Sequence, residues 1–142
     1  MNLLGILQVS ASGLTAERTR LQTVSSNIAN ARTTRTPDGG PYQRQMPVFE
    51  AQSLGDEFGG MLTDKLRAPV VTSVVSDQRP AEMVYDPGHP DADPETGLVA
   101  MPNVNVVEEM VDMISASRGY ESNVTAISAT KNMLLKALEI GR

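Results

Sequence analysis

Apolar residues recur at seven-residue intervals near both ends of the chain. Leu7, Leu14, Leu21 and Ile28 form one series, and Met113, Tyr120, Ile127 and Leu134 form the other. Seven residues span nearly two helical turns, so each series marks one edge of a helix. The first pattern predicts a helix over 3–31, about 43 Å long; the second predicts one over 106–140, about 52 Å long. Val24 thickens the first edge, while Met110, Val124 and Leu138 extend the second. Another strip of the second helix, Ala126, Thr130, Met133, Ala137 and Ile140, lies on a different face. Two strips call for more than one helical neighbour.

The first helix is a poor one by intrinsic propensity. It contains Gly5, Gly13, Asn27 and Asn30 among many Ser and Thr residues; each Gly costs about 1 kcal/mol relative to Ala and the others some tenths. Packing must supply its stability. The second helix starts cleanly: Asn105 can cap it, Glu108 stands at the capping-box position, and Glu109 and Asp112 suit the positive end of the dipole.

Between the helices the periodicity changes. Thr33–Pro41 is turn chemistry. Tyr42–Glu50 reads as an extended segment whose Pro47 suits an edge, and 51–66 as a glycine-containing loop. Val70–Val75 is the best strand candidate, Met83–Tyr85 a second and Leu98–Met101 a third. Asp86–Pro94, with three prolines, cannot be helical. The expected fold is therefore mainly α: long N- and C-terminal helices paired as an antiparallel coiled coil, with a small extended or β-rich insert. The chain divides into a helix (1–31), an extended segment and loop (32–66), a β-rich insert with a turn-rich loop (67–105) and a second helix (106–142).

Composition narrows the function. The 142 residues suffice for one modest core, and aromatics supply only 4% of them. A net charge of −5 argues against sequence-independent nucleic-acid binding. Residues 51–105 hold most of the acids; the ends are near neutral. With no cysteine, disulfides and thiolate metal sites are excluded. No stretch approaches the roughly 20 apolar residues of a membrane span, so membrane insertion is not expected. The apolar start resembles a signal peptide only faintly, since no basic residue precedes Arg18.

Candidate chemistry is sparse. His89, beside Asp91 and Asp93, is the one histidine and reads as part of a solvated loop rather than a metal site. No glycine-framed serine or phosphate-binding loop accompanies it. Glu108, Glu109 and Asp112 fit helix capping better than paired-carboxylate catalysis. No catalytic residue, cofactor or metal is expected.

More specific residues point to a family. Ser12-Gly13-Leu14-Thr15-Ala16 and Val24-Ser25-Ser26-Asn27-Ile28-Ala29-Asn30-Ala31 resemble the N-terminal signature of the flagellar basal-body rod proteins. Gly39-Gly40-Pro41-Tyr42, Val84–Asp93, Met101-Pro102-Asn103-Val104-Asn105 and Ser117–Asn123 narrow the likeness to its proximal-rod members. Gly119 departs from that pattern, which has Ala there. The resemblance covers nearly the whole chain and implies a non-enzymatic subunit of the periplasmic rod, which transmits torque. It further implies export through the flagellar type III apparatus without a cleaved signal. The implied partners are further copies of the chain, the rod proteins FlgB, FlgF and FlgG, the adaptor FliE and the membrane ring protein FliF. The alternative is a soluble helical-hairpin adaptor for one partner, such as an export chaperone.

Overall fold

The computed structural model describes residues 3–37, 39–53 and 66–140. Its elements run α1 (Leu3–Ala29), β1 (Gln45–Ser53), β2 (Arg67–Ser76), β3 (Glu82–Tyr85), β4 (Leu98–Met101) and α2 (Val106–Ile140). Most of the loop expected over 51–66 falls outside the described residues, although Ala51–Ser53 belong to β1.

Local chemistry accounts for the boundaries. Asn30 ends α1: its amide nitrogen donates to the Ser26 carbonyl at 2.9 Å, and its oxygen accepts from the Thr33 hydroxyl at 3.1 Å. Asn105 caps α2, its side-chain oxygen accepting from the Val107 amide at 3.0 Å. Gly39, Gly40 and Gly97 occupy positive φ, where a side chain would be strained.

The two helices run antiparallel, because contacts pair late residues of one with early residues of the other. Asn27 meets Glu109, Arg20 meets Asp112, and Gly13 lies against Asn123. β1 and β2 form an antiparallel ladder from Gln45↔Ser76 to Ser53↔Arg67, with an irregularity between Val48 and Phe49. β2 crosses α1, where the Ser12 hydroxyl donates to the Pro69 carbonyl. β3 and β4 make a separate antiparallel pair, Glu82↔Met101 to Tyr85↔Leu98.

This architecture corrects the mainly-α coiled-coil expectation in two respects. Only 49% of the described chain is helical, and the segment between the helices carries two separate two-stranded sheets joined by turns rather than one minor insert. β-branched Val70, Val71, Val74 and Val75 favour the pleated ladder and extend it over 10 residues of β2. Nor does a leucine seam join the helices. The buried positions of α1 are Gly5, Ser10, Gly13, Ala16, Thr23, Val24 and Asn27. Those of α2 are Glu109, Ala116 and Thr130. Small and polar residues line the crossing because they let the backbones approach closely. No described helix is long and apolar enough to cross a membrane.

Candidate functional site

A polar lock stands where α1 ends and α2 begins. Asn27 is 1% exposed and uses its whole amide. The nitrogen donates to the Gln45 carbonyl and to Glu109 Oε2, both at 2.9 Å. The oxygen accepts from the Gln45 amide at 2.9 Å and the Tyr42 hydroxyl at 3.0 Å. One helical side chain thus supplies the bonds that a neighbouring strand would offer to Gln45.

Glu109 is completely buried, a placement an acid tolerates only when paired and hydrogen-bonded. Arg44 Nε donates to its Oε1 at 2.6 Å while Asn27 holds Oε2. Arg44 also reaches Asp112 at 3.5 Å, and Arg20 bonds the other Asp112 oxygen at 2.8 Å. Asn103 extends the network, accepting from the Arg44 amide at 2.8 Å and donating to the carbonyls of Asp77 and Arg79. Arg79 bonds the Asp77 carboxylate and holds it below its ordinary value; the Arg79 backbone amide adds to this. Both oxygens of Glu109 are thus held by partners within the chain. The geometry fixes segments in place.

Two close approaches lie further along the helix pair. A Cβ on Gly13 would stand 2.9 Å from Asn123 Nδ2, and one on Gly119 would stand 3.0 Å from Glu17 Oε1. Gly119, the departure from the family pattern, therefore clears room for the Glu17 side chain. Glu17 Oε2 is buried there without a hydrogen-bond partner among the described residues.

The sequence-derived packing residues flank this crossing. Val24 is buried, while Leu7, Leu14, Leu21, Ile28, Met113, Ile127 and Leu134 are half-buried. Met110, Tyr120, Val124 and Leu138 are exposed. Among the motif residues, Asn27 and Asn103 enter the lock, Asn30 and Asn105 terminate helices, Pro102 is buried, Ile28 is half-buried and Ala29 is exposed. His89 makes a local turn, its Nδ1 accepting from the Asp91 amide at 3.1 Å, and Asp91 accepts from the Thr34 hydroxyl at 2.8 Å. Sequence reasoning missed Glu17, Arg20, Tyr42, Arg44, Ala116 and Asn123. A usable signal existed: Gly13, Arg20 and Asn27, like Glu109, Ala116, Asn123 and Thr130, also recur every seven residues.

Comparison with known proteins gives this arrangement its context. Residues 7–35 match the family model described as flagella basal body rod protein. Residues 95–140 match the model described as flagellar basal body rod FlgEFG protein C-terminal. The flagellar basal-body rod protein FlgC of Borreliella burgdorferi is 45% identical over 99% of this chain and 98% of its own. That of Bacillus subtilis is 45% identical over 96% of each chain, and that of Aquifex aeolicus 40% identical over 98% and 97%. With the same terminal signatures and full-length likeness, the chain belongs to the FlgC family of flagellar basal-body rod proteins, which are structural subunits and not enzymes.

Proposed function

We propose that this protein is a structural subunit of the proximal rod, polymerising through the apolar edges of its terminal helices into the torque-transmitting shaft that crosses the periplasm. One observation carries the reading. The helix pair is built on Gly, Ala, Ser, Asn and paired charges, so Leu7, Leu14, Leu21 and Ile28 remain half-buried and Met110, Tyr120, Val124 and Leu138 exposed. Apolar edges on a single chain are surface that further helices can cover.

The partners on this reading are further copies and the rod proteins FlgB, FlgF and FlgG, with the adaptor FliE and the ring protein FliF at the membrane end. Export through the flagellar type III apparatus, without a cleaved signal, belongs to the same reading. The polar lock supports the mechanical role, since it ties both helices to the base of the β1–β2 ladder.

Leu21→Asp tests the reading. The exported variant should be absent from isolated basal bodies, because one buried apolar side chain is worth about 2–5 kcal/mol at each interface. Normal incorporation would refute the assembly role of the edges.

A further inference from the structure

β3, β4 and the loop that joins them stand apart from the rest of the chain. Among the described residues, no Cα of either strand comes within 8 Å of a Cα in a helix or in the β1–β2 ladder. An open groove of about 400 Å³, lined by Arg79, Glu82, Val104, Val106 and Glu108, lies between the base of β3 and the first turn of α2. From Glu82 to Met101 only Val99 is buried, while Met83 is 57% and Tyr85 70% exposed. A lone two-stranded sheet with so little buried is marginally stable.

The segment is nevertheless bonded to itself. The Asp86 amide donates to the Gly97 carbonyl at 3.0 Å, the Asp93 amide to the Leu98 carbonyl at 3.0 Å and the Gly97 amide to the Asp93 carbonyl at 2.8 Å. Gly97 also admits the Tyr85 ring, which a Cβ there would meet at 2.8 Å. Its fastenings to the body are few. At the base, Asn103 bridges the two connecting segments, donating to the Asp77 and Arg79 carbonyls. At the tip, the Thr34 hydroxyl donates to Asp91 Oδ2 at 2.8 Å. Arg35 lies 4.0 Å from the other Asp91 oxygen, but it is exposed and such a pair contributes little. Among the described residues, the Thr34 bond is the one hydrogen bond between residues 82–101 and the rest of the chain.

We propose that residues 82–101 form a separate cooperative unit, which unfolds and re-forms while the helix pair and the β1–β2 ladder stay folded, with the Thr34–Asp91 bond as its latch. Unfolding it breaks that latch and the unit's own bonds. The polar lock survives, because the bonds made by Asn27, Arg44 and Glu109 do not reach residues 82–101. Regions with few buried apolar contacts open at free energies well below the global one. The subunit therefore carries a segment that yields first and leaves the register of its helices intact, whatever covers the apolar helix edges.

Hydrogen exchange of the full-length chain, read amide by amide, tests the unit. The Asp86, Asp93 and Gly97 amides should share one opening constant, at least about a hundredfold larger than that of the Thr23 and Ala116 amides in the helix seam. Thr34→Val should speed the three together by about two- to tenfold, the scale of one net hydrogen bond, and leave the seam amides unchanged. Asp91→Ala should act alike, and the double substitution should add nothing to either, because both remove the same bond. Amides of the unit that exchange no faster than the seam, opening constants that differ more than about tenfold among the three, or indifference to both Thr34→Val and Asp91→Ala overturns the proposal.

Discussion

Glu109→Ala is the most direct perturbation of the lock. The wild-type carboxylate is fully buried, bonded to Arg44 at 2.6 Å and Asn27 at 2.9 Å. Truncation strands a guanidinium whose side chain is only 15% exposed and one donor of the buried Asn27 amide. Breaking a buried ion pair from one side costs about 3–5 kcal/mol. Asp112, 3.5 Å from Arg44 Nη2, takes over part of the charge. The expected loss is therefore about 3 kcal/mol, a large fraction of the roughly 5–15 kcal/mol that holds a domain folded. Urea unfolding of the purified chain, followed by helical circular dichroism, reads it as a lower midpoint at unchanged slope. Arg44→Ala completes a double-mutant cycle whose coupling should be about 1–3 kcal/mol. A loss below about 1 kcal/mol for Glu109→Ala, or additive single losses, would refute the lock as the tie between the helices and the β1–β2 ladder.

Three further outcomes follow from the close approaches and from Asp77. Gly119→Ala should gain less than the roughly 1 kcal/mol that helix propensity offers, because Glu17 must move; in a Glu17→Ala background the full gain should appear in urea midpoints. Gly13→Ala should destabilise, since its Cβ would meet Asn123 at 2.9 Å, and Asn123→Ala should relieve most of the loss in the same assay. Arg79 lowers the Asp77 carboxyl below 3.8 in the fold, so its contribution is present above that value and is lost as pH falls through the lowered one. Unfolding midpoints of Asp77→Asn should therefore fall less than those of wild type between neutral pH and about pH 3.

The contrast between what the pattern revealed and what it hid has a single physical origin. Periodicity reports where apolar side chains align, and it located both helices and three of the four strands, with Leu98–Met101 and Val106–Ile140 at the expected bounds, while β1 was legible only as an extended segment that stopped short of Ala51–Ser53. It does not report which aligned face meets which neighbour. The leucine edge was the natural choice for the intrachain seam because burying Leu stabilises most. A lone pair of helices can instead pack closely through Gly13, Ala16 and Ala116 and leave the leucines for other contacts. Gly13 and Asn27 look like defects when helix propensity is weighed alone. In the fold, Gly13 admits Asn123 and Asn27 satisfies Gln45, Tyr42 and Glu109 together. Glu109 misled for the converse reason: a first-turn acid suits the helix dipole, and only the approach of Arg44 from a distant segment makes its burial possible. Residues that weaken a helix locally are thus the ones that specify its partner, because a polar side chain buried in the seam tolerates one register and penalises every other.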